Sequence, residues 1–345
     1  MSVGNVHRHP DALALGHGAD QGTDLFGDTA LAADDLAHIL GGNPQFQDGL
    51  VPAVVLRDVH LLRAIEILDR NDWDTIQVFK TKYVDCLKYY YYVGGMPEAV
   101  LEFTTNRDVK RVRDVQNRLL YAYENDLFRH APKEIVTRIR MLWNSIPTQL
   151  AKENKKFIYG LIREGARARE YEVAITWLMD VGLVYKINRV KKQDFPLRAY
   201  QDFSAFKLFI VDIGLLGAMS RLDAKIILEG NRLFEEFKGA LTEQYVLQQL
   251  IVNPENDIFY WSAENATSEL DFLIQTDDCI VPMEVKAEEN LQAKSLKVFM
   301  QKYKVKNAVR VSMSGFREQD WLTNFPLYNI ASLNQYLKKN TALDA

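Results

Sequence analysis

Four charged residues in the last third of the chain have the types and spacing of a hydrolytic site. Glu284 and Lys286 stand two positions apart in the apolar stretch IVPMEVK, and alternate side chains of a strand share a face. Asp271 lies near the start of the preceding apolar stretch ELDFLIQ, and Glu243 lies on an earlier helical stretch. A hairpin between the two strands would place Asp271 and Glu284 abreast, with Glu243 approaching the same end.

Phosphodiester hydrolysis requires such a set. Two carboxylates, here Asp271 and Glu284, hold a divalent cation such as Mg²⁺, which polarises the phosphate and lowers the pKa of a bound water. Lys286 would offset the charge that grows on the phosphorane, and Glu243 would ligate a second ion or assist the water. The alternative is a solvated ion pair at a strand end, which contributes little stability. We expect these four residues to be catalytic, with Asp271 and Glu284 as the metal ligands.

Composition is typical of a globular protein. The 345 residues are 48% hydrophobic and 26% charged, with a formal net charge of −4, and this length allows two or three domains. No apolar stretch reaches the length of a membrane helix, and the chain lacks an export signal at its start, so we predict a cytoplasmic protein without a membrane partner. Cys86 and Cys279 are far apart, which argues against a disulfide framework and against a zinc site.

Four segments differ in pattern and predict an α/β protein with a large helical part. Residues 1–60 hold five of the six histidines and no lysine, and we interpret them as an atypical, poorly ordered segment without metal-binding spacing. Residues 61–131 have helical periodicity. Residues 132–227 show three helices and a hairpin, the order of a winged helix. Residues 228–345 show an α–β–β–β–α–β order, ending with a short strand at PLYNI, which predicts a mixed sheet flanked by helices.

Two features bear on the partner. The winged-helix-like segment is basic, which indicates DNA contact or, alternatively, only a solvated surface. The Tyr89–Tyr92 run is interpreted as helix packing, with base stacking by the rings as the alternative. The basic residues are Lys152, Lys155, Lys156, Arg163, Arg167 and Arg169.

The ordered series of stretches resembles a known family. The D-x12-E-x-K spacing of Asp271, Glu284 and Lys286, preceded by Glu243 on a helix, is similar to that of the PD-(D/E)XK nuclease fold. Over roughly residues 62–330 the chain resembles bacterial AAA-type ATPases whose C-terminal domain of unknown function has that nuclease-like fold. The resemblance is carried by stretches such as YYYYVGGMPEAV, AREYEVAITWLMDVGLVYKI, FKGALTEQYV and IVPMEVKAEEN.

The resemblance implies a domain plan. Residues 61–131 would be a helical lid, residues 132–227 a winged-helix-like domain and residues 228–345 the nuclease-like domain, in a family that binds ATP. This chain has no GxxxxGK[ST] motif and no Gly-Lys pair, so we expect neither ATP binding nor ATP hydrolysis by that route. We interpret residues 1–60 as standing in place of the ATPase core in a truncated or frameshifted gene product.

The sequence is compatible with three functions. The first is a DNA-directed, Mg²⁺-dependent nuclease module. The second is a catalytically silent module that binds DNA or protein and regulates an ATP switch. The third is a truncated remnant without function.

Overall fold

The computed structural model describes most of the chain after the first fifth. The described residues are 72–152, 155–229, 235–263, 268–276, 279–289, 293–303, 305 and 307–341. The interpretation of residues 1–60 as poorly ordered lies outside these ranges.

The first part of the described chain is helical. Helix α2 ends at Gly94, whose φ of +72° lies in the left-handed region that glycine adopts without strain, and Pro97 opens α3. The helices are α1 Trp73–Val78, α2 Lys80–Val93, α3 Pro97–Asn106, α4 Val109–His130, α5 Lys133–Leu150 and α6 Ala168–Asp180.

The remaining elements build one sheet with helices around it. The eight strands form a mixed sheet in the order β2-β1-β3-β4-β5-β6-β8-β7, which confirms the predicted α/β class. The strands are β1 Val184–Val190, β2 Gln201–Ile210, β3 Asp257–Ser262, β4 Glu269–Gln275, β5 Ile280–Val285, β6 Ala308–Ser312, β7 Arg317–Glu318 and β8 Leu322–Pro326. The helices are α7 Ile213–Met219, α8 Ala224–Glu229, α9 Glu235–Leu250, α10 Lys294–Tyr303 and α11 Leu333–Thr341.

Two local predictions differ from the structure. The second of the three helices predicted for the winged helix is only a 3₁₀ turn, Tyr159–Leu161. The hairpin β1–β2, which comes after α6, joins the large sheet because β1 pairs in parallel with β3. The strand predicted at PLYNI is wrong, since residues 327–332 form a 3₁₀ helix and the strand ends at Pro326. Proline has no N–H to continue a ladder, and its fixed φ suits the turn that follows.

The tyrosine run supports the packing interpretation. Tyr90 and Tyr91 are buried, and their ring centroids lie 5.6 and 5.4 Å from that of Tyr245 on α9. Trp73 on α1 stacks on Phe316, next to the edge strand β7, with 3.9 Å between ring centroids. The N-terminal helices are therefore packed directly on the C-terminal α/β part.

Two apolar cores lie on opposite faces of the sheet. The α9 side includes Leu241 and Leu247 of that helix, whereas the α10 side includes Leu296 and Phe299. Along β5, alternate side chains fill the α9 side; they are Val281, Met283 and Val285. In the part of the chain that the structure describes, no helix combines the length and apolar character needed to cross a bilayer.

Candidate functional site

Glu243 and Asp271 come together between α9 and the sheet. Glu243 is buried, and its carboxyl group lies close enough to that of Asp271 in β4 for each to affect the pKa of the other. Asp271 Oδ2 also accepts the backbone N–H of Val285 at 2.7 Å. Two of the four predicted site residues thus share one polar cluster, here called the α9-side cluster, which also contains Glu269, Lys155 and Lys207.

Two lysines neutralise the α9-side cluster. The Nζ atom of Lys155 lies 2.5 Å from Glu243 Oε1. The Nζ atom of Lys207 lies 2.6 Å from Glu269 Oε1 and 3.6 Å from Glu243 Oε2. From the sequence, Lys155 is predicted only as part of a basic surface, and Lys207 is not among the predicted site residues. Lys207 nevertheless is the sole charge in the strand stretch AFKLFIV, and a charge in a buried strand implies a buried partner.

Burial and neighbouring charges decide where the protons lie in this cluster. Burial, together with the negative charge of Glu243, raises the pKa of Asp271 to about 8. Burial alone would raise the pKa of Glu243 as well, but the ammonium groups of Lys155 and Lys207 hold it below its ordinary value. Burial would lower the pKa of Lys207, but the carboxylates of Glu269 and Glu243 raise it overall. At neutral pH a protonated Asp271 therefore faces an ionised Glu243.

Glu284 and Lys286 form a separate group on the α10 side of the sheet. The Nζ atom of Lys286 lies 2.6 Å from Glu284 Oε1. Because the alternate apolar side chains of β5 fill the α9 side, strand alternation turns Glu284 to the other face. In the β5–β6 register Glu284 stands opposite Arg310, whose Nε donates to Asn324 Oδ1 at 2.9 Å. The structure thus divides the four predicted residues into two pairs.

The register of β4 and β5 alone does not predict this division. The two strands pair in antiparallel fashion with Phe272 opposite Met283. Continuing that register places Asp271 opposite Glu284, and directly opposite residues in a regular pair point to the same face. The backbones of Asp271 and Glu284 are therefore neighbours, as predicted, but their side chains do not lie together.

A β-bulge in β4 accounts for the difference. Leu270 and Leu273 are three positions apart yet both pack on the α10 side, whereas Phe272 packs on the α9 side. The β3–β4 register shifts by one residue at Tyr260, so Asp271 and Phe272 together oppose this single residue. A bulge of this kind re-aims a side chain, and here it turns Asp271 toward α9 and away from Glu284.

The arrangement does not fit the Mg²⁺ ion that the sequence predicts. The two expected ligands, Asp271 and Glu284, point to opposite faces, and ammonium groups lie against Glu243, Glu269 and Glu284. Among the described residues, no group of three or more His, Cys, Asp and Glu side chains is placed to hold a metal ion. Magnesium requires a near-octahedral shell of oxygen atoms, and these residues do not offer one.

Two parts of the chain match families whose function is not known. Residues 84–226 match a family described as Domain of unknown function (DUF8612), and residues 238–332 match one described as Domain of unknown function (DUF4143). The second domain is common in AAA-ATPase-associated proteins, which agrees with the resemblance at that coarse level. No curated protein and no solved structure shows a significant match to the chain.

Proposed function

We propose that this chain is a catalytically silent regulatory module of an AAA-ATPase-associated protein. The observation that supports the proposal is that three carboxylates around the predicted active site are each paired with a lysine. A hydrolytic metal site instead needs acidic ligands available to the cation and an open position for the phosphate. Internally compensated charges are typical of a structural network. The pairs are Glu243–Lys155, Glu269–Lys207 and Glu284–Lys286.

The charge of α6 favours a protein partner over DNA. In a winged helix the corresponding helix enters the major groove and lies close to phosphates. Helix α6 carries Arg169 but also Glu170, Glu172 and Asp180, and it exposes the apolar side chain of Val173. Acidic side chains repel phosphates, whereas a mixed apolar and polar surface is typical of protein interfaces.

Folding also removes basic charge from the stretch that predicted DNA contact. Lys155 is buried against Glu243, and Arg163 lies 3.4 Å from a carboxylate oxygen of Glu170. The β1–β2 hairpin, which would be the wing, is built into the large sheet. These features further support protein binding as the role of residues 132–227.

A cleavage assay with purified protein tests the proposal. Single-stranded and double-stranded DNA are incubated with the protein in Mg²⁺ and in Mn²⁺, beside the Asp271→Asn and Glu284→Gln variants. We expect no cleavage by the wild type above the level of the variants. Metal-dependent cleavage by the wild type that both variants lose would establish the nuclease function instead.

A binding assay with the same DNA tests the partner class. We expect weak binding that the Arg163→Ala, Arg167→Ala and Arg169→Ala substitutions leave nearly unchanged. Tight binding that falls steeply with salt and is lost in these variants would assign DNA as the partner, because phosphate contacts release counterions.

A further inference from the structure

Helix α6 has an outer face that carries a continuous line of exposed side chains. Its inner face packs on α5 and β1 through buried side chains, which are Tyr171, Ala174, Ile175 and Leu178. On the outer face, four exposed residues follow each other at spacings of four, three and four positions, and such spacings place them along one line of a helix. They are Arg169, Val173, Thr176 and Asp180.

The charges at the two ends of this line are not paired within the described part of the chain. Arg163 lies 3.4 Å from a carboxylate oxygen of Glu170, but neither Arg169 nor Asp180 forms an ion pair with another described residue. Two charged groups of opposite sign are therefore available on the surface of one helix.

Both charges also oppose the dipole of their own helix. Arg169 lies in the first turn of α6, and Asp180 is its last residue. A helix favours anions at its N-terminus and cations at its C-terminus, so each of these side chains stands at the less favourable end. A local rule that is broken without compensation inside the chain indicates a functional position.

The line of exposed residues is complementary to a second copy of itself. The midpoint between Ala174 and Ile175 is equally far along the helix from Arg169 and from Asp180. In an antiparallel pair of α6 helices centred on that point, Arg169 of each copy faces Asp180 of the other, and the two Val173 side chains meet beside the axis. A two-fold interface requires this kind of self-complementary surface.

An antiparallel pair would also relieve the unfavourable position of both charges. Each Arg169 would lie beside the C-terminal end of the other helix, where a cation is favoured, and each Asp180 beside the N-terminal end, where an anion is favoured. Val173, which is 60% exposed in the single chain, would lose contact with water at the centre of the pair.

We propose that the outer face of α6 is a self-association surface whose occupant is a second copy of this chain, with the two α6 helices antiparallel. This inference rests on the proposed function, because it names the protein that residues 132–227 bind. Helix α6 has 13 residues and is therefore about 20 Å long. An interface centred on one such helix is smaller than the standard size of about 1,600 Å², so we expect a weak dimer that forms with rising protein concentration.

Charge reversal followed by analytical ultracentrifugation tests this surface. We expect the full-length wild type to change from monomer to dimer over about a hundredfold range of concentration. Arg169→Asp and Asp180→Arg should each weaken the dimer at least about tenfold, because each places like charges together twice in the pair. Lys110→Asp, a reversal at an exposed position of α4, is the matched control and should dimerise like the wild type.

Mixing the two variants gives the decisive measurement. One variant carries two aspartates at these positions and the other two arginines, so an equal mixture should form a heterodimer although each alone is a monomer. The double variant Arg169→Asp/Asp180→Arg should dimerise like the wild type for the same reason. Circular dichroism of each variant shows that the chain is folded.

Three outcomes would overturn the inference. They are a wild type that stays monomeric at every concentration, a dimer that the single reversals leave unchanged, and a mixture of folded variants that stays monomeric. None of them bears on whether the chain cleaves DNA, so the cleavage assay judges the proposed function separately.

Discussion

The side-chain amide of Gln244 forms hydrogen bonds with both backbone groups of a single residue, Ile210. The N–H of Ile210 donates to Gln244 Oε1 at 3.1 Å, and Gln244 Nε2 donates to the Ile210 carbonyl oxygen at 2.7 Å. Ile210 ends the edge strand β2, which has a neighbouring strand on one side only. Gln244 therefore replaces the missing neighbour and holds α9, including the adjacent Glu243, against this strand.

Replacing Gln244 by leucine should destabilise the protein substantially. The Gln244→Leu change leaves two buried backbone groups of Ile210 without partners, and each such group costs about 1–3 kcal/mol, so we expect a loss of about 2–6 kcal/mol. Urea unfolding followed by circular dichroism measures the change. Gln335→Leu, at an exposed position of α11, is the control and should alter stability by less than about 0.5 kcal/mol. Equal stabilities of the two variants would contradict the role of Gln244.

A methyl group at Gly94 should destabilise the folded protein far more than a methyl group at Gly182. Both glycines have a φ near +73°, but a Cβ at Gly94 would lie 2.3 Å from Asp212 Oδ1, whereas one at Gly182 meets nothing within 4 Å. Asp212 is itself fixed by the N–H of Gly95 at 2.7 Å. We expect Gly182→Ala to lower the free energy of unfolding by about 1–2 kcal/mol through backbone strain alone. Gly94→Ala should lower it by at least about 2 kcal/mol more.

The comparison uses the thermal unfolding midpoints of the two glycine variants beside the wild type. Since the backbone strain is nearly the same at both positions, the difference between the variants reports the clash with Asp212. Similar midpoints for both would show that Asp212 moves aside at little cost.

Removing the ammonium group of Lys207 should strongly destabilise the folded protein. The Lys207→Met variant leaves Glu269 and Glu243 with one positive charge fewer in a buried site, and breaking a buried pair in this way costs about 3–5 kcal/mol. Lys238→Met removes an exposed pair with Glu288 and should cost less than about 1 kcal/mol. Chemical denaturation of both variants tests this, and a small loss for Lys207→Met would mean that water reaches the α9-side cluster.

Stability should depend on pH through Asp271. Its pKa rises from an ordinary 3.8 to about 8 in the folded protein. Between about pH 4 and pH 8 the folded state keeps a proton that the unfolded chain has released, so this residue makes stability fall as pH rises. Glu243, whose pKa is lowered, acts in the opposite direction and only at lower pH, where its stabilisation is lost as it becomes protonated.

The Asp271→Asn variant isolates this effect because asparagine keeps the shape but does not titrate. We expect the free energy of unfolding of the wild type, relative to the variant, to fall by up to about 1.4 kcal/mol per pH unit between about pH 5 and pH 7. Urea unfolding at several pH values gives both profiles. Parallel profiles would show that Asp271 is ionised in the folded state.

The local pattern of apolar residues was sufficient to predict many of the secondary-structure elements. The apolar stretches around IFYW, ELDFLIQ and CIVPMEVK are β3, β4 and β5, because a run of apolar residues bounded by turn residues favours a buried strand. The pairing of Glu284 with Lys286 also follows from local geometry, since residues two apart in a strand share a face. The α/β class was predictable for the same reason.

The partners of Glu243 and the direction of Asp271 were decided only by tertiary structure. Lys155 reaches Glu243 across 88 positions of sequence, and no periodicity within a segment encodes such a contact. The bulge that turns Asp271 away from Glu284 arises from the register of β3 against β4. Alternation along a strand is a property of one segment, whereas register and charge pairing depend on which segments are buried against each other. The sequence by itself determined which side chains were available for chemistry, and the packing of α9 on the sheet determined which of them meet.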